Sequence, residues 1–181
     1  AHLAKQCIQR LATQQPELGI TTRQQQLVTV AGLVHDLGHG CFSHVFDTII
    51  LPQLPDCTHA THPEHEARSC LIFRALVKQY HISLTAKDVD TICRMIVPSP
   101  KDGFLFQIVA NARSGLDVDK LDYLRRDCRA TGLKFDVDTE RILAEVRVID
   151  DTLCWPLQLQ RDITRVFHVR HALHDMCYKH R

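Results

Sequence analysis

The chain has 181 residues, 45% of them hydrophobic, and a formal net charge of +1 with histidine neutral. That is enough for one globular domain with a core, while the balanced charge gives no global field that would favour nucleic acid or a membrane surface. No apolar run approaches the ~20 residues that cross a bilayer. The eight cysteines include no CxxC pair, which reads as reduced thiols in an intracellular compartment, nucleus or cytoplasm.

The chain begins without a methionine or a signal-peptide pattern and with a helix already under way. The expectation is therefore one domain over residues 1–181, truncated at both ends. Leu3, Cys7, Ile8 and Leu11 recur at helical spacing between His2 and Thr13. Pro16 and Gly19 punctuate a turn, and Thr21 or Thr22 can cap a helix from Arg23 to His35 with Leu27, Val28, Val30, Ala31 and Val34 inward.

Ala31, Leu33, Val34 and Leu37 bracket an adjacent His35-Asp36 pair, which puts two metal-competent side chains at the end of a buried helix. His39 follows four residues after His35, and His44 and Asp47 lie one helical turn apart beyond Gly38 and Gly40. Imidazole together with carboxylate suits a borderline divalent ion such as Fe, Mn, Zn or Ni. The dipeptide alone carries little weight. Twelve His and sixteen Asp produce roughly one such pair by chance, and His174-Asp175 is a second.

Pro52 and Pro55 then interrupt the chain. Cys57, His59, His62 and His65 offer four potential ligands for a structural zinc, although Pro63 opposes a regular helical pair and no second cluster completes a finger spacing. Ala67, Cys70, Leu71, Phe73, Ala75, Leu76 and Val77 predict a buried helix over 66–80. Thr85 with Asp88 predicts a capped helix with Val89, Ile92, Ile96 and Val97 inward, followed by a loop over 97–103 and a further helix over 104–111.

Between Gly115 and Cys128 a helix would carry Asp119, Tyr123 and Arg126 along one side, with Lys120 and Asp127 near its edges. An ordinary amphipathic helix with early acids gives the same pattern. Asp138 caps a helix reaching Val146, and the strands around Asp150-Asp151 predict a β-hairpin with Pro156 marking an edge strand. A last helix, from Asp162 to His180, projects Arg170, His174 and Tyr178 from one face at four-residue spacing.

Two of these stretches carry a resemblance. The string AGLVHDLGHGCFSHVFD, ending at Asp47, is similar to the HD superfamily of metal-dependent phosphohydrolases. The string GLDVDKLDYLRRDC, ending at Cys128, resembles the IDVDK-x-DY-x-x-RD motif of its deoxynucleoside triphosphate triphosphohydrolases, in the SAM- and HD-domain-containing branch. Leu121 stands where relatives carry tryptophan.

The resemblance implies an all-α HD-domain helical fold with one small β-hairpin near the C-terminal end. It implies a divalent transition metal (Fe, Zn or Mn) on His35, Asp36 and Asp119. A first histidine ligand would fall just before Ala1; His2 comes later and on a different helix face, so the isolated chain is expected to be inactive.

The implied reaction is hydrolysis of a deoxynucleoside triphosphate at the α-phosphorus, giving deoxynucleoside and inorganic triphosphate, with metal-lowered acidity of water supplying the nucleophile. His44, steadied by Asp47, becomes the general acid, while His39, His65, Lys120 and Arg170 neutralise the phosphates. Tyr123 with Asp127 would hold the sugar 3′-hydroxyl, His174 would line the pocket and Tyr178 would lie against sugar or base. Mg²⁺ would accompany the triphosphate. Implied partners are the nucleotide and, in the full-length protein, further copies of itself. Two alternatives stay open: another HD phosphohydrolase acting on a nucleoside monophosphate or cyclic nucleotide, and an inactive HD protein with an interaction role.

Overall fold

The computed structural model describes residues 1–54 and 64–178. Cys57, His59 and His62 of the zinc reading, and the expected helix end at His180, lie outside the described residues.

Side-chain caps decide where the helices begin. After α1 (His2–Gln14), Thr21 opens α2 (Thr22–Val34): its hydroxyl accepts the Gln24 N–H at 3.2 Å, and Gln24 Oε1 accepts the Thr21 N–H at 2.8 Å. Thr85 and Asp88 form the same reciprocal box at α4 (Ala86–Ile96), at 3.1 and 2.9 Å. Each box satisfies amide donors that a helix start leaves open. Asp117 caps α5 (Val118–Thr131) and Asp138 caps α6 (Thr139–Ala144) by the same chemistry.

The helices then bury one common face. α1 packs against α2, α5 and α6; α2 packs against α4; and α5 packs against α7 (Gln160–Leu173), which continues as a wider turn over His174–Tyr178. α3 (His65–Gln79) lies at the margin, against α4. Ile8, Leu11, Val28, Ile92, Met95, Leu121 and Leu124 are fully enclosed, each side chain contributing about 1.5–3 kcal/mol through burial. α1 and α2 approach closely because Gly32 faces Ala4, where an added Cβ would come within 2.9 Å of the Ala4 Cβ.

The hairpin pairs β1 (Arg147–Ile149) with β2 (Thr152–Cys154) in antiparallel register. Asp150 and Asp151 both take positive φ, 47° and 55°, the twist that suits a two-residue turn. The Asp151 carboxylate accepts the Phe104 N–H at 3.2 Å, and Gln107 Oε1 accepts the Leu153 N–H at 3.0 Å, so the hairpin is pinned to the segment before α5. The fold class matches the all-α expectation with one hairpin. Among the described residues no helix is long and apolar enough to cross a membrane.

Four local expectations change. Residues 104–111 form only a short 3₁₀ turn at Phe104–Phe106. Further along, Val118 N–H bonds to Ile108 O and Asn111 N–H to Asp117 Oδ2, so tertiary partners take the groups a helix would have used. α3 buries Ser69 and Phe73 and leaves Leu71 and Ile72 more than 40% exposed. Leu33 and Leu37 face outward, since Ala31 and Gly32 take the inward positions at the end of α2. Pro156 lies beyond β2, at the start of a 3₁₀ turn, and ends the strand without belonging to it.

Candidate metal centre and active site

The last turn of α2 delivers His35 into a cleft of about 210 Å³ that Ala1, His2, Gly32, Asp36 and Asp119 help to line. His35 Nδ1 lies 3.2 Å from Gly32 O, which anchors the ring and turns Nε2 toward two carboxylates, Asp119 Oδ1 at 3.0 Å and Asp36 Oδ1 at 3.4 Å. One ligand atom from each of His35, Asp36 and Asp119 lies within 4.8 Å of the others. Asp119 comes from the first turn of α5, so residues far apart in the chain meet through the contacts that α1 makes with both α2 and α5.

A cation would satisfy that convergence, and a proton on His35 satisfies part of it. Burial works hardest against a charged His35 ring, yet the hydrogen bond to Asp119 and the charges of Asp36 and Asp119 outweigh it and raise the pKa above 6.5. A ring nitrogen anchored from behind by a backbone carbonyl, facing two carboxylate oxygens, matches in type the donors that divalent transition metals take. The three residues expected to hold the metal therefore fit one. His2 lines the same cleft but is not among the converging ligand atoms.

Asp36 joins this centre to a second cluster. Its Oδ1 lies 3.6 Å from His39 Nε2, and His39 stacks on His65 with centroids 3.8 Å apart and planes at 15°. His44 meets both rings edge-on, at 5.2 and 5.4 Å. Burial first, then the neighbouring His65 charge, holds the His39 pKa below its ordinary value, while Asp36 opposes them. Among the described residues, His39 Nδ1 is buried without a hydrogen-bond partner. Two further groupings, Asp36–His39–His65 and His44–Asp47–His65, also bring ligand-type atoms within 4.8 Å of one another.

Asp47 has partners that the expectation did not name. Its carboxylate is held by the Arg68 guanidinium, and its second oxygen lies 3.7 Å from His65 Nδ1. Arg68 reaches it from α3, three residues after His65. Asp47 thus links Arg68 to His65 and lies in the same grouping as His44.

The residues expected to hold substrate line up between α5 and α7. Lys120 lies near Asp117, Nζ to Oδ1 3.9 Å. Tyr123 lies beside Arg170; burial is the main cause of its raised pKa, which Arg170 partly offsets. Tyr178 donates its hydroxyl to Asp127, and His174 meets the Tyr178 ring edge-on at 5.1 Å. Asp127 therefore pairs with Tyr178, and Tyr123 with Arg170. The Tyr178 phenol is pushed upward by burial and by that carboxylate. His174-Asp175, the second His-Asp dipeptide, stays apart: Asp175 pairs with the exposed His171 at 3.2 Å.

Three contributors escaped the sequence reading. Arg68 and Ser69 lie three and four residues after His65 on α3, a spacing that would place them on its face. Asp117, almost fully buried, accepts N–H groups from Asn111 and Lys120 and sets the start of the helix that carries Asp119. A groove of about 820 Å³ along α7, at Arg161, Arg165 and His168, holds none of the expected site residues.

No family model matches the chain. Among curated proteins it is 36% identical over its whole length to the deoxynucleoside triphosphate triphosphohydrolase SAMHD1 homolog of Dictyostelium discoideum, covering 35% of that protein. Over 86% of its length it is 37% identical to a putative HD domain-containing protein of Acanthamoeba polyphaga mimivirus, covering 34% of it. Over 99% of its length it is 34% identical to the deoxynucleoside triphosphate triphosphohydrolase SAMHD1 of Homo sapiens, covering 33% of it. The chain spans about a third of the length of these relatives.

Proposed function

We propose, for a chain that is an HD-type relative of the deoxynucleoside triphosphate triphosphohydrolases, that its two joined clusters hydrolyse deoxynucleoside triphosphates to deoxynucleoside and inorganic triphosphate. The observation that carries the reading is the convergence of His35, Asp36 and Asp119, with Asp36 shared by the stack of histidines. His35, Asp36 and Asp119 would hold Fe, Zn or Mn, and Mg²⁺ would accompany the triphosphate. Such an ion, when bound, polarises a phosphoryl oxygen and makes water a nucleophile near neutral pH.

The chain's own residues supply the rest. Phosphoryl transfer is dominated by positioning and charge neutralisation, and Lys120 and Arg170 bring fixed positive charge from adjoining helices. His39 and His65, stacked ring on ring, would supply ring N–H donors to the phosphates. His44, exposed at the edge of the stack, is open to solvent and to a leaving group, and would hand its proton to the departing 5′-oxygen. Tyr123, Asp127, His174 and Tyr178 form the wall against which the sugar and base would be oriented. Self-association and a nuclear or cytoplasmic location accompany this reading; sedimentation and fractionation test them.

The deciding experiment incubates the purified protein with a deoxynucleoside triphosphate and Mg²⁺ in ¹⁸O-water. Attack at the α-phosphorus puts ¹⁸O into inorganic triphosphate and leaves the deoxynucleoside unlabelled. Release of a monophosphate or of pyrophosphate would overturn the assignment.

A further inference from the structure

The two clusters sit on different helices, and something must hold α3 against the end of α2. The Ser69 side chain is fully buried, and its oxygen lies 2.8 Å from Gly38 N, 2.5 Å from His35 O and 2.9 Å from His65 O. The last of these is an ordinary bond back along a helix. The other two cross to the segment that carries the His-Asp pair. The hydroxyl accepts the Gly38 N–H and shares its single proton between the His35 and His65 carbonyls, the shorter contact being to His35, so one side chain ties the two backbones together.

The Gly38 peptide is gripped from both ends. While Ser69 takes its N–H, Arg68 Nε donates to its carbonyl at 3.0 Å, and the same guanidinium holds Asp47. The approach is close enough that a Cβ on Gly38 would fall 2.0 Å from His65 O and 2.5 Å from Ser69 N. No side chain can stand between the two segments, so the His65 backbone has one setting relative to His35, and the His39–His65 stack follows from it.

We propose that Ser69 is a positioning residue for the reaction: its hydroxyl sets the first turn of α3, and so the His65 ring, against the His35-Asp36 end of α2. The proposal rests on the assigned hydrolysis for its kinetic consequence, but its geometric content stands without it. Ser69 contacts no converging ligand atom, so its loss should spare metal content. It should instead misplace His65, and a displacement of ~1 Å can cost about 10²-fold in rate.

Two measurements on Ser69→Ala test this. In ¹H–¹⁵N spectra of the histidine rings, His39 and His65 of the parent protein should carry the upfield ring-current shifts of a stacked pair, and these should collapse in the variant. In steady-state kinetics, kcat should fall about 10–100-fold with KM within about threefold and metal content unchanged. Ile142→Val, a buried change in α6 away from the site, should lower stability and leave both readouts intact. Where Ser69→Ala does not fold, Ser69→Cys keeps the volume with a weaker donor, and the same changes are expected in smaller measure. Retained ring-current shifts in the folded variant, or a kcat loss no larger than that of Ile142→Val, would overturn the proposal. If the parent protein hydrolyses no deoxynucleoside triphosphate, the ring signature alone decides, which separates failure of this inference from failure of the reaction assignment.

Discussion

His39 and His65 stack ring on ring at 3.8 Å, although one lies in the turn after α2 and the other opens α3. Two imidazolium rings at that distance repel, so the stack favours at most one charge. The centre next to it behaves oppositely, because His35 faces two carboxylates.

That contrast fixes a pH dependence. In metal-stripped protein, His39 should titrate below 6.5 and His35 above it. Neutral His39 is the form the fold prefers, so its contribution to stability falls as pH drops below 6.5 toward its folded pKa, where the unfolded chain binds the extra proton. The His35 contribution is fully present below 6.5 and is lost as pH rises through its folded pKa. Site-resolved NMR titration checks both, and His65→Ala should move His39 upward by removing a neighbouring charge and some of its burial. A His39 that titrates above His35 would contradict the account.

Metal content should discriminate the two His-Asp pairs. Asp119→Ala removes one of three converging ligand atoms, and bound transition metal should be lost almost entirely. Asp175→Ala breaks only an exposed pair with His171 and should change nothing. Elemental analysis of the purified variants reads the result, and equal loss from both would mean the wrong pair has been assigned to the metal.

His44→Ala separates proton transfer from metal holding. Among the described residues His44 belongs to no grouping with His35, Asp36 or Asp119, so metal and fold should survive while turnover drops by roughly 10²–10⁴ if the ring is the general acid. Unchanged turnover removes His44 from the mechanism. Loss of metal would move it into the ligand set.

Gly38→Ala should damage the joint between the clusters. The new Cβ meets backbone atoms of α3, which cannot swing aside as a side-chain tip can. Overpacking of this kind costs typically ~1–3 kcal/mol, to be read from urea denaturation midpoints. A variant as stable as the parent would show that α3 docks less tightly than the 2.8 Å bond from Gly38 to Ser69 implies.

The all-helical class, the caps at Thr21, Thr85 and Asp138, the hairpin at Asp150-Asp151, and the candidates His35, Asp36 and Asp119 were all legible in the chain. The elements depend on local rules: a hydroxyl or carboxylate that takes a free amide, an apolar period of 3.6, a tight acidic turn between two strands; the His35, Asp36 and Asp119 set rests on the resemblance to the HD motifs. What pairs with what was not legible. Residues 104–111 lose their helix because Ile108 and Asn111 bond to the start of α5, Asp47 goes to Arg68, and Asp127 goes to Tyr178. Ser69 carries no mark in the sequence beyond its distance from His65. Its role exists only because α3 lands on Gly38, and where one helix lands on another is set by the packing of the whole core, which no local pattern encodes.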